Sequence, residues 1–349
     1  MAKLIKQFGG KATETNIQQC QNSLNWHEDK FHNLEFTSMS IKPSNVPSLL
    51  YSQFFKTKGR NPISPLPIIP FDKKSFLTDS EEAKIIWYGH SVILMRMSGK
   101  TILIDPMLGP NASPIAPFAT KRFSHETLAI IDQLPEIDLL LMTHDHYDHL
   151  DLASIEKLQS KTKQYFVGMG LGRHLESWGI KKELITEFDW WSDQTFKDIN
   201  ITYTPTRHFS GRGLTDRAKS LWGGWVFTSP KENIYFSGDS GYGNHFIEVG
   251  EKLGPFDFGI MECGQYNELW HQIHMYPEES IRAAKDAGVK KAMAVHWAGF
   301  ALALHHWKDP IERFTTEADK QNLQVSNPRI GDIFTKSSLN KEHWWEDLT

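Results

Sequence analysis

Short hydrophobic runs, separated by glycine-containing or polar turns, dominate the chain from Glu81 onward. Runs of four to eight residues bounded by turn residues predict strands rather than helices. The run at 138–142 is apolar at every position after the first, as expected for a strand covered on both faces. Predicted strands lie at 84–88, 91–97, 101–104, 138–142, 164–167, 184–188, 201–204, 224–228, 233–236, 256–261 and 292–295.

Two later segments, 277–287 and 310–319, carry helix signals instead. Each begins with proline and has acidic residues close behind it, which suits the first turn of a helix. A series of strands, followed by strands alternating with helices, predicts an α/β layered architecture. Residues 45–71 differ, because they are rich in proline, serine and asparagine and lack clear periodicity. We therefore predict an N-terminal extension over residues 1–80 that covers the core, and a main domain over residues 81–349.

The composition excludes several classes of protein. The chain has 349 residues and balances 38 Lys and Arg against 42 Asp and Glu, for a net charge of −4. A dedicated nucleic-acid-binding protein is normally basic, so we expect no nucleic-acid partner. Two widely separated cysteines, Cys20 and Cys263, cannot build a disulfide framework and fit a reducing compartment. The sequence predicts neither a spanning helix nor a secretory signal peptide.

The strongest chemical signal follows the strand predicted at 138–142. His144, His146, Asp148 and His149 lie within six residues, and imidazole with carboxylate suits zinc or a similar first-row metal. In an extended chain the first three would share one face and His149 would point away. A single ion cannot easily take all four, whereas a turn after the strand could distribute them between two ions.

Three later residues have the same context, at the end of a β-prone run: His208, Asp239 and His296. Loops at strand ends converge in layered α/β folds, so these side chains are expected to join the first four. Seven ligands are enough for two ions that share one carboxylate and one solvent molecule. The sequence therefore predicts a dinuclear metal site.

This ligand pattern resembles the metallo-β-lactamase superfamily, and further motifs resemble its N-acyl-phosphatidylethanolamine-hydrolysing phospholipase D branch. Those motifs are LWGGW at 221–225, FSGDSGY at 236–242, GPFD at 254–257, HMYPEE at 274–279 and HWAGF at 296–300. The resemblance covers about residues 84–315 and makes 81–349 a hydrolase domain. It implies a four-layer αββα sandwich with a dinuclear site between two sheets.

The resemblance also implies a role for each residue. His144, His146 and His208 would hold one zinc ion, Asp148, His149 and His296 the other, and Asp239 would bridge them. His274 would meet the substrate phosphate, and Asp148 would also orient the hydroxide. The implied reaction is attack of a metal-bridging hydroxide on the phosphodiester of an N-acyl-phosphatidylethanolamine-type lipid. Manganese is the alternative metal.

One departure leaves the substrate open. Where the branch has a Pro-Arg-Trp segment, this chain has Glu268-Leu269-Trp270, so the cation is replaced and a negative charge is added. A lactonase or carboxylic-ester hydrolase acting on a soluble sugar phosphate is therefore an alternative, and so is a non-enzymatic metal-binding protein. A redox di-iron site is disfavoured, because His146 stands where that pattern has glutamate.

Other features allow more than one interpretation. His90 is either a residue that orients a ligand or a turn histidine packed on the core, and Asp105 is expected to be a structural turn residue. The segment 46–60 combines apolar residues with Lys56, Lys58 and Arg60 and is a candidate for peripheral membrane contact, although a cover for the core is the simpler interpretation. By analogy with the family we expect a cytoplasmic protein, peripheral to a membrane if this contact exists, and a homodimer.

Overall fold

The computed structural model describes residues 6–40, 42–55, 58–113, 120–213 and 215–348. Its strands are β1 Trp26–His27, β2 Lys30–Phe31, β3 Lys84–Trp87, β4 Ile93–Met97, β5 Lys100–Ile104, β6 Leu139–Leu141, β7 Tyr165–Gly168, β8 Ile185–Phe188, β9 Asp193–Phe196, β10 Ile199–Thr204, β11 Gly224–Thr228, β12 Asn233–Phe236, β13 Phe258–Glu262, β14 Lys291–Val295, β15 Gln324–Val325 and β16 Ile333–Phe334. Its α-helices are α1 Glu14–Cys20, α2 Val46–Phe55, α3 Lys73–Leu77, α4 Ile130–Gln133, α5 Leu152–Leu158, α6 Gly172–Ser177, α7 His245–Leu253, α8 Pro277–Asp286 and α9 Asp309–Lys320. Single 3₁₀ turns lie at Pro43–Asn45, Thr127–Ala129, Gln159–Lys161 and Lys182–Leu184.

Two seven-stranded sheets form the centre of the described chain. Sheet I has the order β16-β3-β4-β5-β6-β7-β8, and sheet II has the order β15-β14-β13-β12-β11-β10-β9. In sheet I, β4 and β5 pair antiparallel, and the strands from β5 to β8 pair parallel. In sheet II, β11 and β12 pair antiparallel, and the strands from β12 to β15 pair parallel. Parallel neighbours need a crossover between them, and helices such as α5, α7 and α8 supply it.

Strand β6 shows how the sheets are layered. Leu139 and Leu141 belong to the core cluster shared with sheet II, whereas Leu140 points into a second cluster with α5 and α6. Successive side chains of a strand point to opposite faces, so a strand covered on both sides must be apolar throughout. The predicted four-layer αββα sandwich is confirmed, since both sheets have helices on their outer faces.

The eleven predicted strands are all present, with ends that shift by one or two residues, and the two predicted helices are α8 and α9. In the two large sheets, the sequence pattern does not predict β9, β15 or β16. Strand β9 is polar and mostly exposed, and the other two have two residues each, so none has a hydrophobic pattern. Their pairing with neighbouring strands defines them instead.

The described part of the N-terminal extension packs against the sandwich. Strands β1 and β2 form a hairpin, and Trp26 and Phe31 contact each other edge to face at 4.9 Å inside the main core. The following segment, residues 32–40, is called the strap. It lies between two backbone hydrogen bonds, from Phe31 N to Ala218 O (2.9 Å) and from Ser40 N to Leu269 O (2.8 Å). The division of the chain at residues 80 and 81 stays a prediction.

Segment 46–60, the candidate for membrane contact, is described only in part. It begins with α2, on which Tyr51 and Phe55 are exposed and stack on each other at 5.0 Å. Lys56 lies outside the described residues. None of the helices in the described ranges combines the length and apolar character needed to cross a bilayer.

Candidate metal centre

The seven predicted ligands meet at the carboxyl ends of strands from both sheets. The motif residues 144–149 follow β6 in sheet I, and the remaining three follow β10, β12 and β14 in sheet II. Parallel strands of one sheet end at the same edge, which explains why positions scattered over 150 residues converge. The structure brings all seven together: His144, His146, Asp148, His149, His208, Asp239 and His296. Their role as metal ligands stays a prediction.

One cluster contains three imidazoles. His146 Nδ1 lies 2.9 Å from His144 Nε2 and 3.1 Å from His208 Nε2. Zinc–nitrogen bonds of about 2.0–2.1 Å in a tetrahedral shell place two ligand atoms roughly 3.3 Å apart. The three nitrogen atoms therefore fit one zinc-sized ion.

The other cluster combines a carboxylate with two imidazoles. Asp148 Oδ2 lies 3.2 Å from His296 Nε2 and 3.6 Å from His149 Nε2. Asp239 Oδ2 lies 3.0 Å from His296 Nε2 and 3.1 Å from His149 Nε2. The same oxygen is 4.0 Å from the Nε2 atoms of His144 and His208. Asp239 thus faces both clusters, which is the position of a bridging ligand.

Hydrogen bonds behind the clusters set the imidazole tautomers. His149 Nδ1–H donates to Asp105 Oδ2 (2.7 Å), and His208 Nδ1–H donates to a backbone carbonyl (3.0 Å). Thr143 Oγ1 donates to the same Asp105 oxygen (2.6 Å), which leaves it free to accept from His144 Nδ1–H (2.9 Å). Each ring then presents an Nε2 lone pair to the centre, and Asp105 supports both clusters at once. The expectation that Asp105 is only a turn residue was too narrow.

Electrostatics favour a bound cation at this centre. Burial opposes ionisation of the Asp239 and Asp148 carboxyls, but the charge of His149 and hydrogen bonds from His296 outweigh it and hold both pKa values well below 3.8. Burial likewise lowers the pKa of His149, but Asp239, Asp148 and Asp105 reverse this and raise the pKa to about 10. Burial lowers the pKa of His146 to about 4. In the metal-free chain, protons on His149 and His296 therefore supply the positive charge that metal ions would provide.

His90 also belongs to this centre. Its ring is fully buried, and its Nε2 lies 2.9 Å from Asp148 Oδ2. Burial, with His296 nearby, lowers the pKa of His90 to about 3, so the neutral ring donates this hydrogen bond. A side chain on Gly299 would place a Cβ 2.5 Å from the Cβ of His90, so the glycine allows the close approach. Of the two interpretations left open for His90, the contact with Asp148 is the one observed.

His274, the residue predicted to meet the phosphate, lies across both clusters. Its ring stacks on His296 (centroids 5.0 Å, interplanar angle 10°) and meets His208 edge to face at 5.0 Å. Its Nδ1 is 3.1 Å from Oε1 of Glu262, a fully buried carboxylate that also accepts from Met275 N (3.2 Å). Sequence reasoning missed Glu262, although it is an acidic residue at the end of β13, the same context that identified Asp239.

Asp145, inside the motif, faces away from the clusters. It accepts hydrogen bonds from Gly211 N (2.7 Å) and Ser220 Oγ (2.5 Å), and these fix the loop that follows His208. The motif therefore supplies a loop anchor as well as candidate ligands.

A cavity of about 510 Å³ opens beside His208. The strap forms one wall, and Asn33 fixes it directly to the centre: its Nδ2 donates to His208 O (2.8 Å), and its Oδ1 accepts from His208 N (3.1 Å). Phe209, Arg217 and Trp222 line the other side. The N-terminal extension therefore packs directly against the backbone of one candidate ligand.

Comparison with known proteins agrees with this geometry. Residues 100–297 match the family model described as beta-lactamase superfamily domain. An uncharacterized protein of Mycobacterium tuberculosis is 32% identical over 331 residues, which span 93% of this chain and 88% of that protein. N-acyl-phosphatidylethanolamine-hydrolyzing phospholipase D 1 of Caenorhabditis elegans is 31% identical over 228 residues, 62% of this chain and 64% of that protein.

The fold has counterparts among solved structures. Igni18, a metallo hydrolase from the archaeon Ignicoccus hospitalis, superposes with a TM-score of 0.57 at 20% identity, over 72% of this chain and 97% of that one. Together with the matched domain, this identifies the chain as a member of the metallo-β-lactamase superfamily, a metal-dependent hydrolase that resembles the N-acyl-phosphatidylethanolamine-hydrolysing phospholipase D branch.

Proposed function

We propose that the protein is a dinuclear zinc phosphodiesterase that cleaves an N-acyl-phosphatidylethanolamine-type lipid in the manner of a phospholipase D. The position of Asp239 carries the proposal: its Oδ2 lies 3.0–3.1 Å from two imidazoles of one cluster and 4.0 Å from two imidazoles of the other. A carboxylate shared in this way suits two adjacent cations.

The donor set fits the proposed metal. His144, His146 and His208 would hold one zinc ion, and Asp148, His149 and His296 would hold the other, with manganese as the alternative. Bound there, the two cations would activate water as the nucleophile and polarise the phosphate oxygens. Donor spacing near 3 Å and two ionised carboxylates support this assignment.

The residues around the clusters would complete the reaction. Asp148, held by His90 and His296, is placed to accept a hydrogen bond from the attacking water. Glu262 Oε1 lies 3.1 Å from His274 Nδ1 and would hold the ring when both nitrogens carry protons, so that Nε2–H would donate to a phosphate oxygen or to the leaving oxygen. The stacking of His274 on His296 keeps its ring beside the metal centre.

Two observations support a lipid as the substrate. One relative carries N-acyl-phosphatidylethanolamine-hydrolyzing phospholipase D in its name. In addition, six of the seven large apolar side chains that are exposed among the described residues precede residue 64 in the sequence: Leu24, Leu34, Phe36, Tyr51, Phe55 and Ile63, the seventh being Ile247. Exposed apolar groups concentrated on one segment suit peripheral contact with a lipid surface.

The test is to load the metal-free chain with zinc, count bound ions by elemental analysis and assay release of N-acylethanolamine from vesicles. We expect two zinc ions per chain and hydrolysis that Asp239→Asn reduces by at least about a hundredfold. Asp138→Asn is the matched control, because that carboxylate accepts Thr101 N (3.0 Å) on sheet I, away from the centre. A chain that binds two zinc ions but leaves the lipid intact would exclude this substrate.

The second candidate is a lactonase or ester hydrolase acting on a soluble sugar phosphate. The polar cavity beside His208 favours it, together with Leu269 in place of the cation found in the lipid-hydrolysing branch. Turnover of a sugar-phosphate lactone, faster than that of any lipid, would select this function. Iron in the purified protein without zinc would instead indicate a redox site.

A further inference from the structure

The cavity beside His208 contains a cation without a counter-ion. The guanidinium of Arg217 lies over the ring of Phe209, 3.9 Å from its centroid. Among the described residues it has no hydrogen-bond or ion-pair partner. The adjacent Asp216 does not pair with it, because that carboxylate accepts from Gly213 N (2.7 Å) and lies 3.9 Å from the guanidinium of Arg173. Arg217 is therefore available to an external anion.

Phe209 connects this cation to the metal centre. Its ring meets His146 edge to face at 4.5 Å and His208 at 5.0 Å. The guanidinium thus lies one aromatic ring away from two candidate ligands. An anion bound to Arg217 would therefore lie beside the metal centre and not at it.

The opposite wall of the cavity adds to the positive character. The hairpin contributes Lys30, a second cation in the cavity lining. The acidic side chain among the described lining residues is Glu35, whose Oε1 accepts Asn244 N at 2.7 Å, and the two cations Lys30 and Arg217 outnumber it. Charge complementarity therefore favours an anionic occupant.

We propose that this cavity is a subsite for a second anionic group, a phosphate or carboxylate carried beside the bond that is hydrolysed, with Arg217 as its main anchor. The inference rests on the proposed function and deepens it. It gives a role to the strap. It also identifies a cation, Arg217, in a chain that has Leu269 where the phospholipase D branch has arginine. The strap connects the two places, since Ser40 N donates to Leu269 O.

Two matched lipids test the proposal. N-acyl-phosphatidylserine and N-acyl-phosphatidylethanolamine differ by one carboxylate in the head group, and both can be presented in the same detergent micelles. We expect the zinc-loaded chain to prefer the serine lipid in kcat/KM, and Arg217→Gln to reduce that preference about tenfold or more. The control is Arg282→Gln, another guanidinium over an aromatic ring (4.3 Å from the centroid of Tyr242), which should leave the preference unchanged.

A binding measurement separates this inference from the proposed function. Calorimetry with O-phosphoserine and O-phosphoethanolamine should show about tenfold tighter binding of the serine compound to the wild-type chain, and no difference for Arg217→Gln. If neither lipid is hydrolysed but this binding pattern holds, the lipid function fails and the subsite belongs to a soluble substrate. If Arg217→Gln leaves both preferences as in the wild type, or if the wild type has neither, the subsite is refuted whether or not the lipids are cleaved.

Discussion

Asp105→Asn should weaken metal binding in both clusters, although Asp105 is not itself a proposed ligand. Its Oδ2 accepts hydrogen bonds from Thr143 Oγ1 (2.6 Å) and His149 Nδ1 (2.7 Å), and its Oδ1 accepts from Thr143 N (2.8 Å). The asparagine side chain has one oxygen and one NH2 group. At one of the two positions that accept hydrogen bonds in Asp105, the NH2 group must therefore face another hydrogen-bond donor. If the amide faces His149, the ring is driven to the tautomer that carries its proton on Nε2, where a metal should bind.

The magnitude follows from this loss. Groups that orient metal ligands are worth about 10- to 100-fold in metal affinity, or about 1.4–2.8 kcal/mol. His144 is affected as well, because it donates to Thr143 Oγ1, whose own proton goes to Asp105. We therefore expect both zinc ions, and not one alone, to bind more weakly.

The assay is competition for zinc with a chromophoric chelator, made on protein whose fold has been checked by circular dichroism. Asp138→Asn is the control, since it removes the same charge at a hydrogen-bonded strand junction. We expect activity of Asp105→Asn to recover in part at high zinc. If the folded variant binds both zinc ions as tightly as the wild type, the assignment of Asp105 is wrong.

Four further outcomes are expected. Glu262→Gln should lower kcat about tenfold while two zinc ions stay bound, because the variant loses the carboxylate that holds His274; loss of zinc in elemental analysis would contradict this. Zinc affinity should rise by about tenfold per pH unit between pH 6 and 8 for each proton that zinc releases. The reason is that zinc must displace a proton from His149, whose pKa is about 10 without metal. A chelator titration that is independent of pH would refute this expectation. Without metal, that raised pKa stabilises the fold fully below pH 6.5, and the contribution is lost as the pH rises towards 10. Removing the metals should lower the melting temperature, because zinc at a thousand times its Kd contributes about 4 kcal/mol to the free energy of unfolding. Equal melting curves with and without chelator would contradict this expectation.

The sandwich and the candidate ligands could be predicted because their signals are local. A strand covered on both faces, such as 138–142, is recognisable from its own residues, and so is a histidine or aspartate directly after it. The carboxyl ends of parallel strands then bring those residues together without any further information. His208, Asp239 and His296 were found in this way, each from a few residues around it.

The supporting residues carry no comparable signal. Asp105 and Glu262 are single acidic residues whose roles depend on partners 44 and 12 positions away. The strap has no hydrophobic period, and its place is set by contacts such as that of Asn33 with His208, 175 positions along the chain. Residues of this kind become recognisable only when the distant partner is in place.

The difference between residues at strand ends and residues on loops and short segments has a functional consequence. The proposed catalytic groups lie on strand ends that many members of a fold can share, and they account for hydrolysis in general. The groups proposed to face a substrate beyond the metals, Lys30 in the short strand β2 and Arg217 on a loop, lie outside the two large sheets and the helices. Those positions can change without disturbing the metal centre, since Phe209 separates Arg217 from the imidazoles. Substitutions at the cavity wall should therefore alter substrate preference and leave zinc binding nearly unchanged. Substitutions at Asp105, in contrast, should affect both substrate turnover and zinc binding.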